Sequence, residues 1–116
     1  MFRRVAIIGG GAAAVALLSE LVGRASAPLH LDWYPGGAAR PGRGAAYGTE
    51  SPRHLLNVRA ASMGMFSGSP RGFLDFAQRT DPTVAGTDFL PRRLYGEYLE
   101  EEAARTLSRC RGDSVP

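Results

Sequence analysis

Lysine is missing from this chain. All 14 basic residues among its 116 are Arg, set against 11 acids for a formal charge of +3. Ile is scarce while Ala and Gly abound, so the arginines reflect a compositional bias rather than a basic binding surface. They are scattered, and acids match them in the last third. A nucleic-acid reader needs a clustered basic stripe, and none is present, so no nucleic-acid partner is expected. Cysteine is nearly absent too. Cys110 stands alone, which excludes an internal disulfide framework and a cysteine-rich metal site. His30 and His54 are the two histidines. Neither forms an HExxH or similar spacing, so no metal is expected. No apolar run is long enough to span a bilayer, and no membrane partner is expected.

Two patterns imitate signals. Met1-Phe2-Arg3-Arg4 followed by Val5 to Leu18 has the outline of a secretory leader, with Ala25-Ser26-Ala27 as its cleavage site. Gly9-Gly10-Gly11 interrupts its apolar stretch, and Glu20, Gly23 and Arg24 make the approach to that site polar. A cytoplasmic protein is the reading that follows, with a small secreted protein kept as an alternative. Arg111-Gly112-Asp113 spells an integrin-type tripeptide, which chance explains.

With 44% hydrophobic residues the chain can bury a core, and one modest domain fits its length. Residues 3–8 form a short β-branched run suited to a buried strand. Gly9-Gly10-Gly11 ends it. Ala12 to about Val22 reads as a helix with Val15, Leu18 and Val22 on one face, stopped by Gly23. Leu29 to Tyr34 reads as a second strand. Short connections make this a β–α–β unit with parallel strands. Residues 35–53 are a Pro/Gly-rich loop, and such long loops are functional or disordered. His54 to Val58 is a short apolar piece. Ser69 is expected to cap a helix with Pro70 at its first position and Phe73, Phe76 and Ala77 on its apolar side. Pro91 opens a last helix to about Arg109, striped by Leu94, Tyr95, Tyr98, Leu99, Ala103 and Leu107. Glu101 and Arg105 form an i,i+4 pair on it. The fold class is α/β: a Rossmann-like β–α–β unit with additional helices.

The most informative stretch is Val5-Ala6-Ile7-Ile8-Gly9-Gly10-Gly11-Ala12-Ala13-Ala14, which fits G-x-G-x-x-G/A. Gly9 lets the chain leave the strand sharply. Gly11 leaves room for close backbone approach to a pyrophosphate, and Ala14 is small enough for the helix to pack on the strands. The N–H groups and dipole of the helix start favour phosphate. The context agrees: strand before, helix after, second strand next. A tight strand–helix turn without ligand is the bland alternative. An acid about 20 residues on usually accepts the ribose hydroxyls. Asp32 lies at that distance, but inside the strand, with Pro35 where the acid normally stands. An exposed strand carboxylate explains it equally well. No Gly-Lys-Ser/Thr follows a strand, which excludes an ATPase phosphate loop. Gly42-x-Gly44 follows a loop and is not read as a second nucleotide site.

Beyond the glycine loop stand Pro41-Gly42-Arg43-Gly44-Ala45-Ala46-Tyr47-Gly48-Thr49, His54-Leu55-Leu56-Asn57-Val58, and Phe89-Leu90-Pro91-Arg92-Arg93-Leu94-Tyr95-Gly96-Glu97-Tyr98-Leu99. With these blocks, residues 4–102 resemble the N-terminal part of the FAD/NAD(P)-binding flavoproteins. More distantly the chain is similar to flavin-dependent monooxygenases, N-hydroxylating ones among them. The resemblance implies FAD as cofactor, NAD(P)H as reductant in the full-length enzyme and a small-molecule substrate. It implies cofactor contacts from Gly9, Gly10, Gly11, Ala12, Ala13 and Ala14. Segments around Arg43, Gly44 and Tyr47 and around Leu56, Asn57 and Val58 would lie along FAD towards its isoalloxazine. Departures are Ala14 for a common Gly, Arg59 for a common Pro, and the displaced acid. Asn57 is the chain's sole Asn, and its amide can bridge backbone or ligand groups or simply close a turn. Tyr47 is either a ligand neighbour or an ordinary half-buried aromatic; Tyr95 and Tyr98, at helical spacing, are expected in the core. Such flavoprotein domains are longer, so residues 1–109 are expected to be the N-terminal portion of one, with 110–116 a tail and the remainder as partner. No paired carboxylates and no Ser/His/Asp or Cys/His set appear, so no catalytic residue is assigned. A non-catalytic module for NAD or ADP-ribose stays open.

Overall fold

The computed structural model describes residues 3–36, 41–66 and 68–110. The Arg111-Gly112-Asp113 tripeptide and the start of the leader-like segment lie outside them. β1 (Arg3–Ile8) and β2 (Leu29–Tyr34) form a two-stranded parallel sheet with Ile7 opposite Trp33 and Ile8 opposite Tyr34. The helix between them, α1, spans Ala12–Arg24. This is an α/β arrangement with the β–α–β order read from the sequence.

Alternation sorts the strand residues onto two faces. Val5, Ile7, Leu31 and Trp33 point inward, onto Val15 and Leu18 of α1 and onto Ala103 of the last helix. Val15 and Leu18 are fully buried, and each such side chain contributes about 1.5–3 kcal/mol. The other face carries Arg4, Ala6, Ile8, His30, Asp32 and Tyr34. Ile8 is 85% exposed there. The β-branched run therefore covers one buried face, not two, because every helix packed on the sheet lies on the same side.

α2 covers Gly72–Thr80 and α3 covers Arg92–Ser108. They build a second core around Phe73, Leu74, Tyr95, Tyr98 and Leu99, into which Leu56 and Leu90 insert. Leu55 bridges to Pro91, and the Leu56 N–H donates to Leu90 C=O at 2.8 Å. This seats the His54–Val58 piece beside the start of α3. Ser19 of α1 and Thr106 of α3 share a hydroxyl hydrogen bond of 2.8 Å, which fixes the two helices in register. As expected from their spacing, Tyr95, Tyr98, Leu99 and Ala103 are buried.

Three boundaries differ from expectation. α1 runs through Gly23 to Arg24. A glycine stops a helix by turning left-handed, and Gly23 does not have positive φ. α2 begins after Ser69 and Pro70, with Arg71 at its N-cap and no side-chain cap. Ser69 instead pairs with Phe66 in an isolated bridge, and its carbonyl accepts the Gly72 N–H at 2.9 Å. Pro91 is extended and serves as the N-cap of α3. Among the described residues no helix is long and apolar enough to cross a membrane, and no cluster of three or more His, Cys, Asp or Glu could hold a metal.

Candidate functional site

The sharpest feature of the fold lies where β1 hands over to α1. Gly9 adopts φ +136°, a conformation that side-chain-bearing residues avoid. It donates its N–H to Tyr34 C=O at 3.0 Å, continuing the sheet ladder by one residue. Its own carbonyl accepts the indole N–H of Trp33 at 2.7 Å. The loop is thus held on both sides by the end of β2. Next to it, a Cβ on Gly10 would run into the Pro35 carbonyl oxygen.

Gly11 is the N-cap of α1 and supplies no side-chain cap. The first helical bond runs from Val15 N–H to Gly11 C=O at 3.1 Å. The N–H groups of Ala12, Ala13 and Ala14 ahead of it have no acceptor within the helix. No acid sits in the first turn, so nothing competes there with an incoming anion. Ala14 is buried against the sheet, as the small residue at that position should be.

A second glycine turn closes on the first. The Gly42 N–H donates to Gly10 C=O at 2.8 Å. Gly42 and Gly44 have φ of +112° and +63°. A Cβ on Gly44 would lie 2.8 Å from Gly11 Cα, whereas one on Gly11 would lie 3.6 Å from Gly44 Cα. Gly44 therefore lacks a side chain for a reason within the fold itself, because it crosses the Gly11 backbone, whereas a Cβ on Gly11 would make only an ordinary contact. The Gly42–Gly44 turn thus forms the opposite wall of the Gly9–Gly11 turn.

Arg43, between those glycines, is 4% exposed. Its side chain folds onto α3, where Nε donates to the Glu100 carboxylate, and Nη1 lies 3.9 Å from Glu50. Nη1 is buried without a hydrogen-bond acceptor among the described residues. Gly96 makes room for this: a Cβ there would lie 2.6 Å from Tyr47 C=O and 3.1 Å from Arg43 Cγ and Cδ. Tyr47 packs its ring on Tyr95 with centroids 4.9 Å apart. Tyr95 in turn meets Phe73 and Tyr98.

The structure thus brings together Gly9, Gly10, Gly11, Ala12, Ala13, Ala14, Arg43 and Gly44. Tyr47 and Ala12 join them by packing on the α2–α3 core. Leu56 is part of that core, while Asn57 and Val58 are exposed in the segment after it. Asp32 stays apart. Its carboxylate is held by His30 Nε2 at 3.0 Å and Arg4 Nη2 at 3.5 Å on the outer sheet face, and the His30 hydrogen bond leads the effects that lower its pKa. Sequence reasoning did not find Trp33, Pro35, Gly96 or Glu100. Gly96 had a legible signal, since a lone glycine inside a helix usually has a packing reason. The Trp33 hydrogen bond had none.

A pyrophosphate requires backbone donors, no competing acid and no side chain across its approach. The α1 N-terminus meets all three, so the residues fit such a group. A family model described as FAD-NAD(P)-binding matches residues 6–115. No match is found among curated proteins.

Proposed function

The chain belongs to the FAD-NAD(P)-binding family, and on that premise we propose that it holds FAD by its pyrophosphate as the cofactor-binding portion of an NAD(P)H-dependent, monooxygenase-like flavoprotein oxidoreductase. One observation carries this reading. The uncapped start of α1 is walled by two glycine turns whose backbones touch at Gly11 and Gly44. Such a surface offers N–H groups and little else.

In this reading the N–H groups of Ala12, Ala13 and Ala14 hold the phosphate oxygens, with the helix dipole adding to the attraction. Arg43 has two roles. Its Nε fastens the second turn to α3 through Glu100, and its guanidinium adds positive charge to the wall of the site. Tyr47 and the Leu56–Val58 segment would lie along the cofactor towards its ring. When bound, the flavin supplies the redox chemistry, while the protein positions it and excludes competing reactions. The small substrate, and the rest of the polypeptide that would complete the two-stranded sheet, belong to the same proposal. The sheet supports it: parallel sheets ordinarily have more than two strands, and among the described residues this one has both edges open.

Titration of the purified chain with FAD and, separately, NAD tests the reading. Saturable quenching of flavin fluorescence with a shifted flavin absorbance band is expected, with NAD binding weaker. Binding of NAD alone, by a protein that leaves FAD unchanged, would instead support a non-catalytic NAD or ADP-ribose module. NADPH oxidation by the FAD-loaded chain should be negligible. Robust turnover would refute the partial-enzyme reading.

A further inference from the structure

We propose that Tyr34, not a carboxylate, recognises the adenosine half of the bound dinucleotide, so that the site does not read the ribose 2′-hydroxyl. The inference rests on the dinucleotide reading above. It concerns the end of β2, the place from which an acid ordinarily reaches the ribose.

Tyr34 is the last residue of β2, and its carbonyl accepts the Gly9 N–H at 3.0 Å. Its backbone is therefore fixed beside the glycine loop. Trp33 turns inward to Gly9 C=O, and Pro35 leans its carbonyl over Gly10. Tyr34 is thus the β2 side chain nearest the loop on the outer sheet face. Asp32 lies on the same face but one pleat repeat back, about 6.6 Å along the strand, and is engaged by His30 and Arg4. Residues 35–49 contain no Asp or Glu. Glu50 and Glu100 face Arg43. Among the described residues, the carboxylates beside the end of β2 and the second glycine turn are thus already engaged.

What stands there instead is an apolar shelf. Tyr34 is 56% exposed and pairs in register with Ile8, which is 85% exposed. The shelf is continuous with the glycine loop, since Gly9 follows Ile8 directly. An aromatic ring beside an aliphatic side chain suits the flat face of adenine, and a base stacked on an aromatic is worth about 1–3 kcal/mol by alanine substitution. One phenol cannot reproduce the twin acceptors of a carboxylate. Affinity on this side then comes from the base and the diphosphate, not from the sugar.

The probes are ADP, the half common to FAD and NAD, and 2′-deoxy-ADP, titrated calorimetrically into the whole chain and three variants. The wild type should bind both nucleotides within about threefold of each other. Tyr34→Ala should weaken both by about tenfold and equally. Tyr34→Glu, which restores the acid, should open a preference of about tenfold for ADP, the size of a hydrogen bond to a charged group. Gly11→Val should abolish both. A wild-type preference for ADP of tenfold or more would overturn the inference, and that ratio requires no variant to fold. So would unchanged affinity in Tyr34→Ala. Loss of binding in Gly11→Val with a large wild-type preference for ADP would leave the glycine-loop reading standing while sinking this one. No ADP binding by the wild type would sink both.

Discussion

At the scale of single residues, Trp33 matters because its indole N–H is the side-chain bond that holds the Gly9 peptide. Trp33→Phe keeps a ring in the inner face of the sheet but leaves that carbonyl without its partner. The expected cost is about 1–2 kcal/mol, read as a lower urea midpoint with an unchanged slope. Tyr95 gives a second prediction. Burial first, then the neighbouring Tyr98 and Tyr47, pushes its phenol from 10.0 up to about 12. The fold therefore favours the neutral form. The stability this contributes is intact below the unfolded-state value and is lost as pH rises through the folded one, because the native state then binds more protons than the unfolded chain. Unfolding free energy should fall between pH 10 and 12, and Tyr95→Phe should flatten that fall. Residue identities of this kind were partly legible. The glycine pattern showed where the chain must turn sharply, since φ of +136° at Gly9 suits no other residue. That Gly44 is bare to pass Gly11 was not legible, because the crossing joins segments more than thirty residues apart.

At the scale of elements, α3 is the platform of the site. Gly96 opens a slot on its surface, and Arg43 and Tyr47 occupy that slot. Alanine is a better helix former than glycine by about 1 kcal/mol, so Gly96→Ala would stabilise an isolated α3. Here its Cβ would meet Tyr47 C=O at 2.6 Å. Overpacking of this sort costs about 1–3 kcal/mol, so a lower melting temperature and weaker FAD binding are expected together, because the Gly42–Gly44 turn must shift off Gly10. A stabilised variant with unchanged FAD affinity would contradict this role for α3. Helix and strand identities followed from periodicity: β1 and β2 match their expected limits, and of the α3 stripe Tyr95, Tyr98, Leu99 and Ala103 are buried while Leu94 and Leu107 are half-buried. Three helix ends did not follow, Pro91 standing one residue ahead of α3 as its N-cap. Gly23 and Ser69-Pro70 carry the local chemistry of a stop and a start, yet Gly23 does not turn left-handed and α1 runs one residue past it. Ser69 is taken up by its bridge to Phe66, which delays α2 until Gly72.

At the scale of the whole molecule, two cores meet at the candidate site. β1, β2 and α1 supply Gly9 to Ala14 from one, and Arg43, Gly44 and Tyr47 come from the turn fastened to α3, which belongs largely to the other. Met65 packs against both. A ligand gripped by both glycine turns must stabilise the entire fold, because it binds a junction that exists only when both cores are formed. The sequence made the β–α–β half of this plain. The coupling of the two halves was hidden, since it depends on long-range contacts between loops and not on any local pattern. Saturating ligand at 100 times its dissociation constant adds about 2.7 kcal/mol, and about 10 °C in melting temperature for a chain of this size. Gly11 has φ of −103° and its added Cβ would make only an ordinary contact, so Gly11→Val should still fold while its branches fill the space above the α1 N-terminus. The most direct test is the melting temperature of the wild type and Gly11→Val, each with and without excess FAD. The account predicts a rise of about 10 °C in the wild type and none in Gly11→Val. An equal rise in both, or no rise in the wild type, would contradict it.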